Sequence, residues 1–245
     1  MSVWGKIIGG TAGFALGGPM GAILGVMLGG TFDRNTKRIN YSNQISTEQK
    51  QKIFALSIII LSAKIAKADG KVTEDEIFAF KEKFNIAENE MSEVGKVFNE
   101  AKKTKEGYKE VANQIGLLFS DNIILLEELL NNLFYIAESD GNISLKEIEV
   151  LRSISNSFTL SETDFQRLFH THLKNKDSDP YKVLSVSRND DNLTIRKRWL
   201  ELSKEHHPDN LVSKGLPKEF INHSNNELSS INLAYDKIKE QRGIN

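Results

Sequence analysis

Two groups of residues in this sequence have the types and spacing that chemistry requires. The first is His206-His207-Pro208-Asp209, where an imidazole and a carboxylate flank a ring that fixes the backbone. Such a pair could serve acid–base catalysis. Here both groups sit in one turn, no nucleophile with a supporting base accompanies them, and no glycine-rich phosphate loop stands outside the apolar N-terminus. The expectation is therefore no catalysis and no cofactor, and His-Pro-Asp alone is a weak signal for any other role. Pro208 fixes the backbone, His207 presents a hydrogen-bonding ring, and Asp209 is a compact anion suited to a charge-assisted contact with an arginine. His206 reads as an exposed neighbour.

The second group is acidic and repeated. Ala66-Lys-Ala-Asp69-Gly70-Lys-Val72-Thr73-Glu-Asp-Glu76-Ile77 matches Ala137-Glu-Ser-Asp140-Gly141-Asn-Ile143-Ser144-Leu-Lys-Glu147-Ile148, 71 positions later. The string resembles the second half of a calcium loop, but the first ligand position would fall on Ile65 or Ile136, and isoleucine cannot coordinate a hard cation. Capping explains the pattern better: Asp-Gly turns the chain, Thr73 and Ser144 cap the next helix, and Glu76 and Glu147 reach back. No metal centre is expected. Should the repeats face each other, Asp69, Glu76, Asp140 and Glu147 are the candidate ligands. The chain has no cysteine, which excludes disulfides, thiolate metal sites and thiol catalysis. His170 and His172 are two apart on a helix, a poor metal pair.

These groups must be positioned by helices. Ser46 and Gln49 form a capping pair ahead of Ile53, Leu56, Ile60 and Ala63, spaced as on one helix face. Periodic segments follow at about 73–84, 89–103, 107–119, 122–138, 144–157 and 161–173, and none alternates with period two. The fold class is all-α. Composition agrees: 39% hydrophobic and 27% charged residues describe a folded chain, and a net charge of −1 excludes a general polyanion binder, so no nucleic acid is expected.

The N-terminus is different. Ten of the 17 glycines lie in the first 30 residues, and the 26 residues from Ile7 to Phe32 carry no charge. As a helix that length spans a bilayer core of about 30 Å. Gly5, Gly9, Gly13, Gly17, Gly21, Gly25 and Gly29 recur every fourth position, a chain of overlapping GxxxG units that lets a second helix approach closely. Gly9 to Gly29 are thus candidates for self-association in the membrane, as a homodimer. A cleaved signal peptide would need a more basic start and a small-residue cleavage site. A soluble tail would leave Ile7, Ile8, Phe14, Leu16, Ile23, Leu24, Val26 and Leu28 in water. Arg34, Lys37 and Arg38 follow the span, so the positive-inside rule expects a single pass with everything after residue 33 cytoplasmic. The expected organisation is an N-terminal tail and span over 1–33, a linker over 34–46, a helical domain over 47–173 and a C-terminal unit over 179–245.

In that unit, Asp179-Pro180-Tyr181-Lys-Val-Leu184-Ser-Val186 opens a short helix, capped by Ser178 or Asp179. Asp191 to Glu205 forms a second. Ile195, Trp199 and Leu202 lie on one face; Arg196, Lys197 and Lys204 lie on the other; Arg198 flanks the stripe. His-Pro-Asp then reads as a loop ending that helix, and a third helix runs at about 218–240 with Leu228, Ile231, Tyr235 and Ile238 on one face.

The repeated A-x-x-D-G-x-[VI]-[ST]-x-x-E-I strings resemble the tellurite-resistance TerB-type domain, in which these acidic residues have been associated with metal. D-P-Y-x-x-L-x-V, the basic helix, H-P-D and A-Y-x-x-I (Ala234, Tyr235, Ile238) resemble, in order, the J-domain of DnaJ-type co-chaperones. The glycine-rich span ahead of both is similar to the membrane-anchored DnaJ-like co-chaperones of the bacterial inner membrane. That resemblance implies a DnaK-type ATPase as partner, contacted by His207, Pro208 and Asp209, with Arg196, Lys197 and Lys204 steering it. There is no Gly/Phe-rich linker and no CxxCxGxG repeat, so the usual client-binding modules of the DnaJ family are missing. The alternative reading is a membrane-tethered stress or metal-response scaffold built on the middle domain.

Overall fold

The computed structural model describes residues 2–4, 21, 23, 46–69, 80–81, 84–103, 107–138, 143–173 and 178–244. Gly9, Gly13, Gly17, Gly25, Gly29, Glu76, Asp140 and the side chain of Asp69 lie outside these residues, as does most of the expected segment 73–84. Among the described residues every regular element is a helix.

The body is built round α1 (Thr47–Asp69), which opens with the expected cap: Ser46 Oγ accepts from Gln49 N–H at 3.2 Å, and Gln49 Oε1 accepts from Ser46 N–H at 2.8 Å. Its residues from Ile53 to Ala63 are buried on all sides, as a helix hydrophobic all round must be. Around it pack α2 (Glu88–Lys103), α3 (Tyr108–Leu118), α4 (Ile123–Ala137) and α5 (Leu145–Ser157), with α6 (Glu162–His172) against α4. At Gly116 the backbones of α3 and α5 meet so closely that a Cβ would collide with the Ser157 carbonyl. Ser144 and Glu147 form the reciprocal capping box of α5, at 3.2 and 2.8 Å, and Ser161 with Asp164 repeats the device at α6.

The C-terminal unit is a helical hairpin. Asp179 caps α7 (Pro180–Val183), accepting from Tyr181 N–H at 3.0 Å, and Asp191 caps α8 (Asn192–Glu205) through Thr194 N–H at 2.6 Å. Against them lies α10 (Ile221–Arg242), and Tyr181, Val183, Leu184, Ile195, Leu202, Ile231, Ala234 and Ile238 close the hairpin core. Trp199 stacks flat on Tyr235, ring centroids 4.3 Å apart.

The segment expected to be a loop is helical: α9 (Pro208–Lys214) starts at the proline. Proline suits a first helical turn, where its missing N–H has no partner to lose, so Pro208 ends one helix and begins the next. Gly215, at φ +104°, closes α9 in the left-handed region that favours glycine, and a 3₁₀ turn (Lys218–Phe220) leads into α10.

The hairpin does not stand apart. Leu211, Leu216 and Phe220 belong to the core of the body, not to that of the hairpin. Each such burial contributes roughly 1.5–3 kcal/mol. Asn122 Nδ2 donates to the Lys214 carbonyl at 2.9 Å across the same seam.

Residues 2–4 also lie on this body. Trp4 is buried among Phe80, Phe84 and Phe220, and Val3 N–H donates to Glu219 Oε1 at 2.7 Å. A chain crossing a bilayer once between Ile7 and Phe32 would carry Trp4 to the far side, away from Phe220. That arrangement and this packing exclude one another in one molecule at one time.

Candidate functional site

Two surfaces of one junction define the site, one facing solvent and one facing inward. Outward, Arg196, Lys197 and Lys204 are exposed along α8, as their placement opposite Ile195 and Leu202 requires. Lys197 makes only a 4.0 Å pairing with Glu201 on its own helix. The same face carries Leu193 and Leu200, exposed by 77% and 50%, which sequence reading passed over. An apolar pair seven apart among lysines and arginines is the composition of a contact surface, because exposed leucine gains nothing from water. At the end of α8 the Asp209 side chain is 96% exposed, and His207 is 55% exposed. His207 has a structural task as well: its Nδ1 accepts from Asp209 N–H at 3.2 Å, capping α9. Pro208 is half-buried between them.

Inward, His206 is a correction to the sequence reading. It is fully buried rather than an exposed neighbour, because α8 packs against α10 and the ring at its end reaches Glu128 on α4. Its Nδ1 lies 3.3 Å from Glu128 Oε1 and 3.6 Å from Glu227 Oε2, and its Nε2 lies 3.5 Å from Glu127 Oε2. Arg167 on α6 closes the cluster, donating to Glu227 Oε1 and, at 2.7 Å, to Glu127 Oε2. Ser224 Oγ donates to Glu128 Oε2 at 2.7 Å. Four helices thus meet in one ionic knot.

The charges respond to their setting. Burial alone would push the His206 pKa down, but Glu227 and Glu128 hold it above the ordinary histidine value. Burial likewise opposes ionisation of Glu227, and His206 and Arg167 overcome it, holding that carboxyl below the usual range. Glu127 goes the other way: burial raises it more than Arg167 and His206 lower it. Arg167 is held charged against its own burial by Glu227 and Glu127.

The acidic repeat does not supply this site. Glu147 is engaged in its capping box, as the capping reading expects, while Asp69, Glu76 and Asp140 fall outside the described side chains. His170 and His172 are separately employed: His170 Nδ1 accepts from Asp179 N–H at 3.2 Å, and His172 contacts Glu138 and Asn131 at 3.0 and 2.7 Å. One signal pointed to the knot. In the apolar segment Ile-Ile-Leu-Leu-Glu-Glu-Leu-Leu-Asn-Asn-Leu-Phe, two acids stand where burial is unavoidable, so each needs a partner.

Comparison with known proteins adds the lineage. Residues 55–170 match the family described as tellurite resistance protein TerB, and residues 1–44 match the co-chaperone DjlA transmembrane domain. The co-chaperone protein DjlA of Photobacterium profundum is 26% identical over 99% of this chain and all of its own length. Those of Salmonella typhimurium and Escherichia coli are 27% and 26% identical, over the full length of both chains in each case. No solved structure matches. With an anchor region, a TerB region and similarity running end to end, the chain resembles the DjlA co-chaperone proteins over its whole length.

Proposed function

We propose that this protein is a co-chaperone that stimulates the ATPase of a DnaK-type chaperone and recruits it to the inner face of a bacterial inner membrane. The observation that carries this reading is the outward surface. Asp209 stands almost wholly in solvent at the end of a helix whose free face combines Arg196, Lys197 and Lys204 with Leu193 and Leu200. The relatives' name, co-chaperone, supports it.

The chain itself performs no bond chemistry. The basic residues attract an acidic partner surface and raise the encounter rate. The leucines then bury apolar area, and the Asp209 carboxylate makes a short charge-assisted contact with a partner arginine. Stimulation follows from binding one state of the partner more tightly than another. J-domain is the apt term for residues 179–245 in this reading. The test is steady-state hydrolysis by a DnaK-type chaperone with the full chain and with Asp209→Asn; equal stimulation by both overturns the proposal.

The anchored form spans the bilayer once through Ile7–Phe32, with Gly9, Gly13, Gly17, Gly21, Gly25 and Gly29 pairing two copies. Arg34, Lys37 and Arg38 keep the body on the cytoplasmic side. To reach that form Trp4 must leave its seat beside Phe220. Labelling from the two sides of the membrane separates the anchored and the seated arrangements.

A further inference from the structure

The knot at His206 has a feature that ion pairing leaves unexplained. Two carboxylate oxygens, Glu128 Oε1 and Glu227 Oε2, face the same imidazole nitrogen, at 3.3 and 3.6 Å. One Nδ1–H can serve one of them well. Glu227 Oε2, on a side chain 1% exposed, is left without a hydrogen-bond partner.

The other halves of these groups are already occupied, and each occupation turns a lone pair toward a common point. Arg167 holds Glu227 by Oε1 and leaves Oε2 inward. Ser224 holds Glu128 by Oε2 and leaves Oε1 inward. Glu127 Oε2 stands 3.5 Å from Nε2, a buried nitrogen that makes no hydrogen bond of its own. A ligating histidine whose second nitrogen faces a carboxylate is the usual outer-shell arrangement of metal sites.

Distance and charge agree with this. Bonds of about 2.0–2.1 Å in a tetrahedral set put ligand atoms about 3.3–3.4 Å apart, close to the two separations here. Each of Glu128, His206 and Glu227 offers one ligand atom, and these atoms lie within 4.8 Å of one another. Metal binding would displace the proton that the carboxylates favour on His206; with that proton released, three carboxylates and one guanidinium sum to −3 + 1 = −2, the complement of a divalent ion. Of the three, Glu227 also lines a pocket of about 90 Å³ with Asn131, Glu138 and His172.

We propose that His206 Nδ1, Glu128 Oε1 and Glu227 Oε2 bind one divalent transition-metal ion of the zinc type, clamping the end of α8 to the body. The site is separate from the acidic repeat and stands independently of the ATPase reading.

The test uses the full chain in detergent micelles, stripped by chelator and titrated with Co²⁺, then Zn²⁺. The expected result is one equivalent of Co²⁺ per chain with an intense visible band typical of low coordination, bleached by Zn²⁺. Glu227→Gln and His206→Gln should lose the band while keeping native circular dichroism, and Glu147→Gln should keep it. Should either core variant fail to fold, Ser224→Ala removes only the donor that orients Glu128; cobalt affinity should then drop about 10- to 100-fold. A wild-type chain without a stoichiometric band overturns the proposal, as does a band retained in folded Glu227→Gln or an affinity unchanged in Ser224→Ala.

Discussion

His206 and His207 are consecutive in the chain and face opposite ways: His206 has 1% of its side chain in solvent and His207 has 55%. The turn between α8 and α9 separates them, so one imidazole anchors the junction while the other caps α9 beside the exposed Asp209. A single step along the backbone divides a buried anchor from an exposed cap. Substitutions at the two positions should therefore fail in different ways.

Asp209→Asn keeps size and removes charge at a side chain free of the core. Its melting temperature should match the wild type, since exposed changes usually stay within about 0.5 kcal/mol. ATPase stimulation should fall to near background. Lys197→Ala should instead slow association and flatten its salt dependence while keeping stimulation at saturation, measured by stopped-flow binding at several ionic strengths.

Arg167→Leu should be among the most damaging single changes. It leaves Glu227 buried without the guanidinium that donates to its Oε1, and breaking a buried pair from one side costs roughly 3–5 kcal/mol. Arg152→Ala, which breaks the exposed pairing with Glu162, should cost at most about 1 kcal/mol. Urea unfolding of both variants in the same detergent checks the contrast.

The capping box of α5 separates capping from metal binding in the repeat. Ser144→Ala should cost about 1 kcal/mol, and Glu147→Gln much less, because glutamine also closes a capping box. Any metal-dependent rise in melting temperature should survive Glu147→Gln.

Much of this organisation was legible in the sequence, and the reason is local. Ser46 with Gln49, Ser144 with Glu147 and Asp179 announce their helices within three residues, and each makes the expected bond, whereas Asp191, read as the first residue of its helix, is that helix's cap. The faces of α8 follow from 3.6-residue spacing alone. The ionic knot was not legible, because Glu128 and Arg167 are far from His206 in the chain and only the docking of the hairpin brings them together. The α9 helix was misread as loop for a related reason. His-Pro is both a helix stop and a helix start, and the burial of Leu211 in the body decides between them.

His170 supplies a pH dependence outside the knot. Burial lowers its pKa from 6.5, with Asp179 opposing and Lys182 adding to the shift, and its Nδ1 is already an acceptor from Asp179 N–H. With the folded value below the unfolded one, the unfolded chain takes up the proton first as pH falls. Stability should drop on acidification below the unfolded value of 6.5, and His170→Gln should flatten that slope in melting curves.

The absence of native cysteine makes topology directly measurable. In the proposed anchored form, Ser2→Cys and Ser46→Cys should react with an impermeant maleimide from opposite sides of sealed vesicles; same-side labelling would retain Trp4 at Phe220 and refute the single pass. Replacing Gly13, Gly17 and Gly21 with leucine should leave the chain in the membrane fraction while reducing crosslinked dimer.

Because Leu211, Leu216 and Phe220 are sunk in the body, the hairpin is no interchangeable cassette on a swivel. Excising it would bare three apolar side chains and strand Glu128 and Arg167 on the remaining piece. Within the intact chain the same seam removes the slack between the two halves. In the proposed function, a partner bound at Asp209 would be held on a fixed bearing to whatever the body faces, the direction of delivery being written into the packing rather than left to a tether.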